Sequence, residues 1–168
     1  MTWDKGLDFE ATYSRILRHM KRAKPPAKCY DGILLIQLRN GSRISEAVRA
    51  FKAFLNTKSV EVEVQVSKVS KRREARLMVI PRELLSIASS CRDLKDVEEK
   101  VLVNRVKNYC VDTYGFNTHS LRYAFITFLL RQGVSPAIIA KITRHSRLDF
   151  ILTYTQEKAA EEILRGLG

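Results

Sequence analysis

Residues 41–66 read "GSRISEAVRAFKAFLNTKSVEVEVQV", and within them the hydrophobic period changes. Ile44, Val48, Phe51 and Leu55 recur at helical spacing, so the first half is a helix with one buried face. From Ser59 the pattern becomes strict alternation: Val60, Val62, Val64 and Val66 are interleaved with Glu61, Glu63 and Gln65, which marks a half-buried strand. A second apolar run, "ARLMVIP", follows the polar stretch "SKVSKRRE", so the two form a hairpin with a long basic tip, ended by Pro81.

Outward from this switch the chain is helical. On the N-terminal side, residues 9–24 read as a basic amphipathic helix stopped by Pro25 and Pro26. "KCYDGILLIQLRN" follows as a helix apolar on most sides and ending at Gly41, so that helix, glycine turn and helix bring Arg43 to a helix start. On the C-terminal side helical patterns cover 82–90, 94–113, 118–132, 135–143, a short piece around 147–154, and 156–166. The expectation is a single α+β domain, mostly helical, with a small antiparallel β-hairpin inserted after the third helix.

The 168 residues suffice for one core without staples, and 45% of them are hydrophobic. No window approaches the roughly 20 apolar residues of a membrane span, and no signal-peptide pattern opens the chain, so a soluble cytoplasmic protein is expected. Cys29, Cys91 and Cys110 match neither a disulfide framework nor a C-x-x-C metal pattern; reduced core thiols and no metal are expected.

Thirty Lys and Arg against 18 Asp and Glu give a net charge of +12 and a pI near 9.9. The excess clusters in "RILRHMKRAKPPAK", "SKVSKRREAR" and "KITRHSR", the footprint of a phosphate-backbone binder. A generally basic solvated surface is the bland alternative. A membrane-surface role is weaker, because helix and strand punctuation interrupts the basic segments.

Two further stretches carry chemistry. In "THSLRYAFITFLLRQG", residues 118–133, Thr118 is placed to cap a buried helix, which puts His119 and Arg122 in its first turn. Cations are unwelcome at that end of the helix dipole unless an anion joins them, and a phosphate would satisfy both. The competing reading pairs Arg122 with a carboxylate and makes His119 a helix-end hydrogen bonder. In "AKITRHSRLDFILTYTQ", His145 stands between Arg144 and Arg147, with Tyr154 nine residues on. Only about one part in a thousand of an ordinary tyrosine is ionised at neutral pH, so a nucleophilic tyrosine needs a base or a strongly positive site. Otherwise Tyr154 is a half-buried aromatic.

Taken together, these residues resemble the tyrosine recombinases and phage-type integrases, here of an archaeal or archaeal-virus kind. That family has an Arg in a Gly-x-Arg-[Ile/Val]-[Ser/Gly]-Glu box, a Lys on a β-hairpin, a His-x-x-Arg box, a later His, and a Tyr nine residues beyond it. "GSRISEA" supplies Arg43, the hairpin supplies Lys68, "HSLR" supplies His119 and Arg122, and His145 and Tyr154 follow in order. Arg122 lies 23 residues before His145 and 32 before Tyr154, close to the family's spacing. Lys68 is preferred as the hairpin lysine because it directly follows the strand, with Lys71 the alternative. One departure is Arg144, where the family usually has Gly.

The resemblance implies a catalytic domain without the family's separate N-terminal DNA-clamping domain. It implies a DNA strand transferase that cleaves double-stranded DNA through a 3'-phosphotyrosyl intermediate, with no cofactor, ATP or metal. Arg43, Lys68, His119, Arg122, His145 and Tyr154 would be catalytic, Glu46 would orient Arg43 or else be a solvated helix carboxylate, and Lys71, Arg72, Arg73, Arg144 and Arg147 would contact DNA. A tetramer on DNA joined through the C-terminal helix is implied as well, with Ala160, Ile163, Leu164 and Leu167 forming its apolar stripe, unless that stripe docks on its own domain. Two rival functions remain: a type IB topoisomerase-like relaxing enzyme, and a non-catalytic DNA-binding module in which Tyr154 only packs.

Overall fold

The computed structural model describes residues 6–67, 74–145 and 148–167, the last segment with side chains at 153, 156, 157 and 160–167. Among the described residues, seven α-helices and one hairpin follow in the order α1 (Phe9–Arg22), α2 (Ala27–Asn40), α3 (Ile44–Thr57), β1 (Glu61–Gln65), β2 (Ala75–Val79), α4 (Glu99–Tyr114), α5 (His119–Arg131), α6 (Pro136–Thr143) and α7 (Leu148–Gly166). This is the expected mostly helical α+β architecture, with its two-stranded antiparallel sheet directly after the third helix.

Helix α2 is the axis of the core. Ile33, Leu34, Leu35, Ile36 and Leu38 are all fully buried, because α1, α3, α4, α5 and β2 pack around it. A helix apolar on all sides is stable only in such a position. The α3 stripe read from the sequence faces it, with Val48 and Phe51 wholly buried, and Val62, Val64 and Val66 turn inward from the hairpin. A second, smaller cluster of Tyr123, Ile126, Ile139 and Ala140 fastens α6 to α5.

Several expectations need correction. Residues 82–96 form two 3-10 segments, Arg82–Ser86 and Ala88–Asp96, and α4 begins only at Glu99. The run "SSCRD" is poor in strong helix formers, and an extended Val97 breaks the path before α4. At the C-terminus the expected break near residue 155 is absent and α7 runs unbroken, since no Gly or Pro interrupts "LTYTQEKAA".

The thiols also differ: Cys29 and Cys91 form a disulfide with their Cα atoms 5.8 Å apart, although 62 residues separate them. Sequence spacing gave no sign that the first turn of α2 would lie against the second 3-10 segment. Cys110 alone is a free, buried thiol, pushed up to about 12 by burial and by the nearby Asp31 carboxylate. Among the described residues no helix is long and apolar enough to cross a membrane, and no three His, Cys, Asp or Glu side chains cluster as a metal would require.

Candidate active site

The site is built around the turn that joins α2 to α3. Gly41 ends α2 with φ +59, and a Cβ there would lie 2.1 Å from Cδ1 of Phe125, so both backbone and space demand glycine. The close approach brings α5 against the end of α2. There Arg122, only 1% exposed, donates from Nη1 to the Gly41 carbonyl oxygen at 3.3 Å. A second buried guanidinium, that of Arg76 on β2, donates from Nη2 to the neighbouring Asn40 carbonyl at 2.8 Å. The last carbonyls of a helix are unsatisfied and carry the negative end of its dipole, so the α2 terminus is a natural place to hold two cations away from water.

Arg43 is the N-cap residue of α3, in extended conformation. Its backbone N–H donates to Glu46 Oε1 at 3.2 Å and its Nη1 to Glu46 Oε2 at 3.1 Å. Glu46 is fully buried and also accepts from Ser67 N at 3.0 Å and Arg76 Nη1 at 3.3 Å. Four donors converge on one carboxylate, which overturns the solvated-carboxylate reading of Glu46. Ser67 is held again by Ser45 Oγ at 2.6 Å and by Arg49 Nη1 at 2.9 Å, so the end of β1 is pinned to α3 just before Lys68.

His145 closes the cluster from the far side. Arg122 Nη2 lies 3.1 Å from its ring nitrogens, and Thr143 Oγ1 lies 2.6 Å from Nδ1. Thr143 donates its hydroxyl proton to the Ile139 carbonyl at 2.9 Å, so it accepts from Nδ1–H and leaves Nε2 to accept from Arg122. Burial first, then the charges of Arg122, Arg43 and His119, push the imidazole down to about 3, and it is neutral at pH 7. Burial, followed by the repulsion of Arg43, pushes Arg122 down to about 9, which leaves it protonated. Among the described residues no carboxylate pairs with Arg122, contrary to the competing sequence reading, and its Nε has no hydrogen-bond partner.

Arg144 sits at φ +59 as the cap of α6, and its carbonyl accepts from Arg43 Nη2 at 3.4 Å. A left-handed residue at this point accounts for the glycine usual in the resembling family. The Arg144 side chain reaches the Ala75 carbonyl at 3.5 Å and Glu74 at 3.9 Å, so it is tied to the base of the hairpin. With Arg39, Arg76 and Lys141 it lines a basic cleft of about 350 Å³ between β2 and the α5–α6 pair.

His119 is the first residue of α5, exposed, with its ring edge-on to Tyr123 at 5.0 Å. The expected Thr118 cap is not made: Thr118 is already helical, and Asn117 Oδ1 instead accepts from Ser120 N at 3.0 Å. Tyr154 lies on α7, but its side chain is outside the described residues. Lys68, Lys71, Arg72, Arg73 and Arg147 also fall outside them. Of the residues singled out by the sequence, the fold therefore gathers Arg43, Glu46, Arg122 and His145, with His119 close enough for its charge to be felt at His145.

Arg76 and Thr143 escaped sequence reading. The parity of "ARLMV" carried the signal for Arg76: Met78 faces inward, so Arg76 must too, opposite Val64, while Leu77 is 55% exposed. Nothing comparable marked Thr143.

Comparison with known proteins places this arrangement in context. The chain is 40% identical over 99% of its length to a protein named "Putative integrase" from Acidianus two-tailed virus, of which the match covers 69%. A protein from Sputnik virophage, also named as a "Putative integrase", is 29% identical over 96% of the chain and 88% of its own length. An uncharacterized protein of Methanocaldococcus jannaschii is 31% identical over 99% of the chain and 89% of its own length. No protein-family model and no solved structure matches the chain. On the strength of the first relationship, the chain belongs to the integrase family represented by the archaeal-virus protein.

Proposed function

We propose that the protein is a DNA integrase that breaks and rejoins double-stranded DNA by the tyrosine-recombinase reaction. The observation that carries this reading is the placement of two guanidiniums, Arg43 and Arg122, beside one imidazole, with Arg122 buried and unmatched by any carboxylate among the described residues. A cluster so short of negative charge is prepared for an anion, and a phosphodiester suits the planar forks of arginine. The integrase names of the relatives support DNA as its source.

In this reaction the Tyr154 phenol oxygen attacks the scissile phosphorus while the bond to the 5'-oxygen breaks, giving a 3'-phosphotyrosyl ester and a 5'-hydroxyl. His119 accepts the phenol proton, and Lys68, or Lys71 in its place, gives a proton to the leaving oxygen. Arg43 and Arg122 hold the non-bridging oxygens as charge builds on them. His145, neutral at pH 7, becomes a donor once the phosphate charge offsets that of the arginines. The ester retains the bond energy, so a 5'-hydroxyl from another strand reverses the step without ATP. Lys71, Arg72, Arg73, Arg144 and Arg147 serve the DNA backbone. Ile163, Leu164 and Leu167, which are 65, 73 and 79% exposed, give α7 an apolar stripe for a neighbouring protomer in a tetramer on DNA.

The test is a suicide DNA duplex, nicked so that the cleaved end diffuses away, run on a denaturing gel. A protein-sized shift that disappears in Tyr154→Phe is expected. Intact DNA binding without any adduct would overturn the reading and leave a binding module. Adducts accompanied by supercoil relaxation, but never by joint molecules, would assign the chain to topoisomerase-like relaxation.

A further inference from the structure

We infer that Arg76, which lies outside every sequence motif of the site, is a positioning residue that acts through Glu46 on the phosphate-holding Arg43. The inference rests on the reading above.

Arg76 is 3% exposed, on the inward face of a strand whose other inward positions are apolar. A methionine or leucine would fill that space without the desolvation cost of a guanidinium, so packing alone does not explain it. Its bonds do. Nη1 donates to Glu46 Oε1 at 3.3 Å and Nη2 to the Asn40 carbonyl at 2.8 Å, so the fork spans from the α3 carboxylate to the α2 terminus. Those two ends flank the turn that delivers Arg43. Asn40 is fixed in turn, because its side-chain amide donates to the Val79 carbonyl and accepts from Val79 N, each at 2.8 Å. Strand β2 and the α2 end thus hold a common register.

Glu46 is the only carboxylate bonded to Arg43 among the described residues, and Oε2 is the oxygen that accepts from Arg43 Nη1. With Arg76 bonded to Oε1, rotation of the carboxyl group is resisted and its charge is stabilised without water. The Arg43 fork is then held by one Nη1 bond to Glu46 and one Nη2 bond to the Arg144 carbonyl. Without Arg76, Oε1 keeps only the backbone N–H of Arg43 while Oε2 keeps Ser67 N, so Oε1 loses its charged donor and is open to a second bond from the Arg43 fork, which draws that fork away from the phosphate. Arg76 therefore contributes geometry to a step in which it touches no reacting atom.

The experiment measures single-turnover cleavage of the suicide duplex by wild type, Arg76→Met, Arg43→Ala and the double variant, with DNA affinity and thermal stability taken for each. Wild-type adduct formation is scored first; its failure would count against the proposed reaction, and that outcome is separate from the behaviour of Arg76. For Arg76→Met we expect a rate loss of roughly 10- to 100-fold at saturating DNA, the size seen when a residue that orients a ligating side chain is removed, with DNA affinity nearly unchanged. In the Arg43→Ala background the same substitution should cost less than about twofold, because its route of action is gone. Arg76→Lys, which can reach one acceptor but not span both, should fall between wild type and Arg76→Met. A full multiplicative loss in the double variant, or a wild-type rate in Arg76→Met, would overturn the inference. If circular dichroism shows Arg76→Met unfolded, Arg76→Lys carries the same cycle against Arg43→Ala with the same two deciding outcomes.

Discussion

The end of α2 and the length of α7 treat their functional residues in opposite ways. Around Gly41 the arginines are set within the main core, against α2, α3 and β2, and their hydrogen bonds go to backbone carbonyls and one buried carboxylate. Among the described residues, helix α7 meets α6 and makes an Arg131–Glu162 ion pair at 3.2 Å whose partners are 57 and 48% exposed. An ion pair so exposed contributes little to stability. The part of the site proposed to hold a phosphate is therefore built into the fold, whereas the α7 side chains among the described residues lie at the surface. Preorganised donors need rigidity at the moment of reaction, and the proposed phosphate site has it.

Substitutions on the two sides should separate accordingly. The largest effect expected is from Arg122→Met: a hundredfold or greater loss of cleavage, about 3 kcal/mol in the barrier. Its melting temperature should stay level or rise, because the change removes a buried cation that lacks a carboxylate partner among the described residues. A steep fall in stability would show that Arg122 serves the fold first. Next, Gly41→Ala should destabilise the protein by about 3 kcal/mol in chemical denaturation, since it combines a left-handed backbone with a Cβ driven into Phe125. Near-normal stability would mean that the α2–α5 approach relaxes easily and that the end of α2 is not rigid.

A smaller effect concerns pH. The folded His145 imidazole sits at about 3 against an ordinary 6.5, so the unfolded chain takes up its proton first as pH falls. The stability associated with this group is complete above pH 6.5 and declines toward pH 3. His145→Gln should flatten that part of the profile in urea titrations between pH 7 and 4; an unchanged slope would place the acid sensitivity elsewhere. Smallest of all, the pair Leu164→Glu and Leu167→Glu should alter the protomer's stability by under about 0.5 kcal/mol, because both side chains are exposed. Joint-molecule formation should nonetheless fail while single-strand cleavage survives. A protomer that melts early would show the stripe to be docked on its own domain.

Much of this was legible in the chain. Alternating valines gave the hairpin, and the α3 stripe gave its buried face. Gly41 stood where the turn needed it, and Arg43, Arg122 and His145 were recognisable from their boxes. The 3-10 segments, the unbroken α7 and the Asn117 cap were not, because each depends on weak local preferences settled by neighbours. Glu46 shows the boundary well. Its spacing from Arg43 suggested a partner, but only the fold revealed that Ser67 and Arg76, 21 and 30 residues away, bond to the same carboxylate.

Sequence by itself determined the mostly helical class with its hairpin after the third helix, the basic character of the chain, and which residues fall in the motifs, because periodicity and short motifs act over a few residues of backbone. Only the tertiary structure decided that two cations would sit on the carbonyl end of α2, that Cys29 would meet Cys91, and that Arg144 would adopt a left-handed turn to lend its carbonyl to Arg43. Those contacts join residues far apart in the chain. Their energies depend on burial and mutual distance, quantities that exist only once the helices have packed.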